Sequence, residues 1–129
     1  MNSNNHITVD QIKNDAEVIK KELVEWRHYL HAHPELSFKE ERTTHYIVNK
    51  LKNFGYTDIQ IGFGPLKTGV MVEIGSGRPC VMLRADIDAL PIQEQTGVEF
   101  CSQSKGVSHA CGHDAHITNL LGVAKLLKK

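Results

Sequence analysis

Cys80-Val81-Met82-Leu83-Arg84-Ala85-Asp86-Ile87-Asp88-Ala89-Leu90-Pro91 is the stretch on which the fold turns. Its first part is apolar almost without interruption up to Arg84, the pattern expected of a strand covered on both faces. Such a strand needs a layer above and a layer below, so the flanking sequence should supply helices. Immediately upstream, Gly75-Ser76-Gly77-Arg78-Pro79 is a turn signal that separates this run from a second short apolar run, Gly69 to Ile74. Earlier still, Thr57 to Ile61 alternates and reads as an edge strand.

The helices are found on both sides. Val9, Ile12, Ala16, Ile19, Leu23, Trp26 and Leu30 recur at steps of three and four, which predicts one long amphipathic helix. Thr8 and Gln11 stand at capping-box spacing at its start, and Pro34 drives His33 out of the helical region at its end. Ser37 and Glu40 repeat the capping-box spacing before a second helix faced by Ile47, Val48, Leu51 and Phe54, with Gly55 placed to stop it. Leu120, Val123, Ala124 and Leu127 predict a third helix still running at Lys129. Helices before and after strands give an α/β domain, layered, with helices packed on a mostly central sheet. Residues 9–129 form that unit, and 1–8 read as a polar tail.

Bulk properties exclude several classes. Fifteen Lys and Arg balance fifteen Asp and Glu, so gross charge points to no nucleic-acid or anionic-membrane partner. No apolar run approaches the roughly 20 residues of a membrane span. Met1 to His6 carry no signal-peptide pattern, and a cytoplasmic protein is expected. Three cysteines without regular spacing argue against a disulfide framework. Cys80, inside an apolar run, is expected to be a small buried hydrophobe. Cys101 has no evident role.

The chemistry concentrates after the predicted strand. Ligand sites in open α/β sheets lie beyond the carboxyl ends of strands. In an extended segment Asp86 and Asp88 would point to one side, one able to orient a metal-bound imidazole. The plain alternative is a pair of solvated loop carboxylates. Downstream, His109-Ala110-Cys111-Gly112-His113-Asp114-Ala115-His116 packs three imidazoles, a thiol and a carboxylate into eight positions. If extended, Cys111 and His113 would converge on one ion, with ligand types suited to zinc and tolerable for manganese, cobalt or nickel. Gly112 permits close backbone approach, Asp114 could cap the following helix, and His116 would fall in its first turn. A rival geometry is a helix gathering His109, His113 and His116; Gly112 favours a loop there instead. An exposed loop with incidental histidines is the third reading. No His-Glu-x-x-His or Cys-x-x-Cys run occurs, so neither a zincin nor a zinc ribbon is supported. His28, His31 and His45 read as surface or interhelical polar residues, and His33 as part of a turn. Glu94 is a candidate for an outer contact. A strong half-site followed by an early end suggests the opening section of a larger metallohydrolase.

Three motifs together carry a resemblance. Arg27-His28-Tyr29-Leu30-His31 with His33-Pro34-Glu35-Leu36-Ser37-Phe38, then Leu83 to Pro91, then His109 to His116, resemble the amidohydrolase branch of the aminoacylase-like metallopeptidases. That branch includes hippurate hydrolases, indole-3-acetyl-amino-acid hydrolases and N-acetyl-diaminopimelate deacetylases. The resemblance begins near Val9 and covers the N-terminal portion of the family's catalytic domain. It implies Cys111 and His113 as the first two ligands of a two-metal site for zinc or manganese, or cobalt or nickel, with Cys111 bridging. It implies Asp86 as a catalytic position and Asp88 as the support of a metal-bound histidine; His116 would lie close by, toward substrate or in contact with a metal ligand. Family members run to roughly three times this length. The paired glutamates, two further histidine ligands and the inserted domain that mediates homodimerisation have no counterpart here, so the site is incomplete and the chain is expected to be a truncated fragment, inactive alone. The implied reaction is hydrolysis of N-acyl amino acids or acylated peptides. The alternatives are a non-catalytic metal-binding or interaction module from a truncated gene, and a structural α/β domain without metal.

Overall fold

Thr8 caps the first helix in both directions. Its hydroxyl accepts from the Gln11 N–H at 3.2 Å and its own N–H donates to Gln11 Oε1 at 2.7 Å, the reciprocal arrangement of a capping box. In the computed structural model, which describes residues 6–63 and 65–129, this helix, α1 (Val9–Val18), is shorter than the periodicity predicts. The stripe breaks at Ile19 (φ −94°, ψ 2°) and resumes as α2 (Lys20–Ala32). Burial explains the break. α1 buries no residue and leaves Val9 and Ile12 exposed, whereas Ile19, Trp26 and Leu30 are packed inside. The one expected helix is therefore two. Of the expected tail, residues 1–5 lie outside the described residues.

The next helix, α3 (Glu41–Asn53), starts differently from expectation. Glu40 is its N-cap without a side-chain bond, and Ser37 takes no part. Instead the Glu35 carboxylate accepts from the Arg42 N–H at 3.1 Å and from the Thr43 N–H and hydroxyl at 2.7 and 2.8 Å. A carboxylate holding free N–H groups at the positive end of the helix dipole serves better than the neutral serine. The C-terminus is as predicted. Gly55 takes φ 95°, its N–H donates to Lys52 O at 2.9 Å, and the Tyr56 N–H donates to Leu51 O at 3.0 Å, which closes a Schellman motif.

β1 (Ile59–Ile61) and β2 (Val70–Val72) pair antiparallel, with Ile59 opposite Val72 and Ile61 opposite Val70. The last helix, α4 (His113–Leu127), ends at Leu127 rather than running through Lys129. Trp26 and Leu30 of α2, Ile47 and Leu51 of α3, Tyr56 just beyond α3, and Ile117 and Leu121 of α4 form one buried cluster. The Tyr56 hydroxyl donates to Ala124 O at 2.8 Å, tying the end of α3 to α4. At Gly122 a methyl would meet Leu23 Cδ2 at 2.9 Å, so the absence of a side chain sets how closely α4 approaches α2. The result is an α/β arrangement of helices against a two-stranded sheet. No described helix is long and apolar enough to cross a membrane.

The decisive stretch departs from its reading. Residues 80–85 form no strand, and Val81 and Met82 are 80% and 81% exposed. Cys80 is exposed as well, not buried. An extended backbone satisfies its N–H and C=O groups only against a neighbour, and among the described residues no strand lies beside this one. Backbone pairing resumes at Ala89, whose N–H donates to Glu35 O at 2.8 Å, and at Leu90, which exchanges two 3.0 Å bonds with Ser108.

Candidate metal centre

Those two bridges bring Asp86 and Asp88 to the start of α4, where His113 is the first helical residue. Gly112 before it is left-handed (φ 87°, ψ 13°), so Cys111-Gly112-His113 is a turn into a helix and not the extended segment expected. The three-histidine helical face is not formed either, because His109 precedes the helix. Asp114 is not the cap: Gly112 occupies that position and Asp114 sits inside the first turn.

His113 is fixed through one nitrogen. Its Nδ1 lies 2.9 Å from Asp88 O and 3.0 Å from Asp88 Oδ1. A proton on Nδ1 donated to this pair of acceptors leaves Nε2 with its lone pair free. Asp86 Oδ2 stands 3.9 Å from that Nε2, while Asp86 Oδ1 accepts from Arg84. Imidazole held by carboxylate on one nitrogen and open on the other is the arrangement that orients a metal-binding histidine. Cys111 is exposed with a free thiol. His116 is exposed one turn along α4, its ring 5.8 Å from that of His113. The donor types suit a divalent transition metal. Their number does not suffice: among the described residues no three His, Cys, Asp or Glu side chains stand together as a cation cage.

Behind His113 lies a buried polar network that spacing alone did not reveal. Asp114 is fully buried, and its Oδ2 accepts from His31 Nδ1 at 2.7 Å and from Arg27 Nε at 3.3 Å. His31 Nε2 meets Glu94 Oε1 at 2.6 Å. Glu94 also accepts from the Ser102 N–H and from the Thr96 hydroxyl, the latter at 2.9 Å. Burial works against charge on His31, but its bonds to Glu94 and Asp114 outweigh it and raise its pKa. Burial likewise opposes ionisation of Glu94, and the Ser102 N–H with His31 reverses the balance, lowering its pKa. His31 thus proves interhelical and buried, and Glu94 contacts it rather than His113. His109 is buried with neither ring nitrogen bonded. Burial pushes its pKa down against the pull of Asp114, and the charges of His31 and His113 add to the lowering. The other histidines are peripheral: His28 stacks on Phe100 at 3.7 Å, His33 Nδ1 donates to Tyr29 O at 2.7 Å, and His45 is exposed.

Residues 82–129 match the family described as Peptidase family M20/M25/M40. The chain is 44% identical to an N-acyl-L-amino acid amidohydrolase of Geobacillus stearothermophilus, over 95% of this chain and 33% of the relative. It is 50% identical to an N-acetyl-L-cysteine deacetylase of Bacillus subtilis, over 86% of this chain and 26% of the relative. Among solved structures, a dinuclear metal-binding peptidase of the M20 family from Bacillus subtilis superposes with a TM-score of 0.76 at 44% identity, covering 87% of this chain and 31% of that one. The chain therefore spans about a third or less of the length of these relatives.

Proposed function

Because the chain is similar to the M20/M25/M40 peptidases over about a third of its relatives' length, we propose that it supplies one side of a two-metal amidohydrolase centre acting on N-acyl amino acids. The observation that carries this reading is His113, anchored through Nδ1 on Asp88 with Nε2 open beside Asp86. Cys111 and His113 would be the metal donors. Zinc or manganese, or cobalt or nickel, fits a thiolate–imidazole pair. When bound, such cations supply Lewis-acid polarisation of an amide carbonyl.

The chain's own residues have separate tasks. Asp88 fixes the tautomer and direction of the His113 ring, and Asp86 presents a carboxylate beside the open nitrogen. His116, one helical turn beyond, would face the substrate. A general base to move protons between water and the leaving amine is a further requirement of amide hydrolysis, and Asp86 and Asp88 are each already engaged by Arg84 or His113. The 129 residues by themselves are accordingly expected to bind metal weakly and to turn over little or no substrate. A cytoplasmic location and a small-molecule partner belong to the same reading.

Titration with Zn2+ or Co2+ tests it directly. The chain should bind the cation with a thiolate charge-transfer absorption that Cys111→Ser abolishes and His113→Ala weakens. Metal binding unchanged in both variants would refute the assignment. Release of free amino acid from N-acetyl or N-benzoyl amino acids at the rate of a full-length relative would refute the expected inactivity.

A further inference from the structure

We propose that His31 is a positioning residue for this centre, holding the first turn of α4 and the 94–102 loop in one arrangement so that His113 and Asp88 meet. The inference rests on the reading of His113 as a metal donor and extends it to a residue outside the candidate site.

Three observations carry it. The N-terminus of α4 has no side-chain cap of its own, since Gly112 is the N-cap; its first turn is held from outside, by α2. Arg27 and His31, one turn apart on α2, both reach Oδ2 of Asp114, the residue that follows His113. The opposite nitrogen of the same imidazole holds Glu94, which in turn binds the Ser102 N–H and the Thr96 hydroxyl. That loop is pinned at its base by the Leu90–Ser108 bridge, directly after Asp88 and Ala89. The two segments that deliver His113 and Asp88 are therefore tied to one ring.

Charge sharpens the argument. Ionised carboxylates only accept, so a ring that bonds one at each nitrogen carries a proton on both and sits as a cation between two anions. A buried ion triad adds little net stability over apolar packing of the same volume. What it does supply is direction, because each bond is short and each partner belongs to a different segment. A loss of that direction is felt at a metal ligand, where displaced supporting contacts weaken affinity about 10- to 100-fold.

The experiment uses the 129-residue chain. Ring nitrogen-15 spectra of the metal-free protein report whether His113 keeps its Nδ1 proton bonded to Asp88, and competition with a chromophoric chelator reports Zn2+ affinity. His31→Gln, which keeps the shape but removes the charge and one of the two ties, should shift His113 away from its bonded Nδ1–H signature. It should also lower Zn2+ affinity about tenfold, while circular dichroism stays native. His45→Ala, on the exposed face of α3, should alter neither. A folded His31→Gln chain with unchanged His113 resonances overturns the proposal. Should His31→Gln fail to fold, Glu94→Ala removes the acceptor and cuts only the outer tie, and unchanged His113 resonances there overturn it equally. If the unaltered chain binds no Zn2+, the metal reading fails while the ring spectra still decide the positioning role.

Discussion

The helical layer around Trp26 and Leu30 and the ledge from Cys80 to Leu83 carry similar apolar side chains, and only the first is buried. Leu30 is 1% exposed and Met82 is 81% exposed. The difference lies in the backbone. A helix closes its own N–H and C=O groups and asks its neighbours only for apolar contact, which α2, α3 and α4 give one another. A strand must borrow hydrogen bonds from another strand before its side chains can be covered. Burial of apolar surface thus follows backbone satisfaction, and hydrophobicity alone does not decide which run becomes core.

Removing partners from the helical layer should produce the largest effects. Asp114→Ala leaves His31 and Arg27 charged beside an apolar gap, and breaking a buried pair in this way costs about 3–5 kcal/mol. Leu30→Ala removes a fully enclosed side chain, for a loss of about 2–5 kcal/mol. Urea unfolding monitored by Trp26 fluorescence would measure both. Losses below about 1 kcal/mol would mean that the helical layer is as loosely held as the ledge.

The buried clamp should also make the helical layer respond to pH. His31 has a pKa raised above 6.5, so its contribution is complete below about 6.5 and is lost as pH rises through the higher folded value. Glu94 has a pKa lowered below 4.5, so its contribution is present above about 4.5 and is lost as pH falls through the lower folded value. Stability from the clamp should therefore be greatest between about 4.5 and 6.5. His31→Gln should flatten the alkaline decline while leaving other titrations in place. An unfolding free energy with the same alkaline slope in both chains would show that the clamp does not couple protonation to folding.

The same contrast explains what could be read in advance. Elements governed by nearest neighbours were legible: the Thr8–Gln11 box, the Gly55 stop, the Ile47–Val48–Leu51 face and the short strands at 59–61 and 70–72. Ile19 was not, because the break in the long stripe answers to where α4 packs, a fact distant in sequence. The run at 80–85 misled because its composition reports what could cover a strand and is silent on whether a partner strand stands beside it. At the site, Asp86, Asp88 and His113 were legible as candidate residue types, and Asp88 Oδ1 lies 3.0 Å from His113 Nδ1 while Asp86 Oδ2 stands 3.9 Å from Nε2. The extended Cys111–His113 geometry was not, since Gly112 permits either backbone. The His31–Asp114 bond spans 83 positions; its only local trace is Arg27 and His31 one turn apart on α2, with no hint of the carboxylate they share.

The smallest effect on folding should come from the ledge, where the largest effect on association is expected. Met82→Lys changes a side chain that touches little, so the unfolding free energy should stay within about 0.5 kcal/mol. Light scattering against concentration should nonetheless fall, because exposed apolar groups on an unpaired extended segment favour pairing between copies and a lysine there opposes it. Amide hydrogens at 81–85 should exchange near the rate of unprotected peptide, while those of α2 and α4 remain protected. A Met82→Lys chain destabilised by more than 1 kcal/mol, with slow exchange at 81–85, would place the ledge inside the folded core and erase the distinction between the two regions.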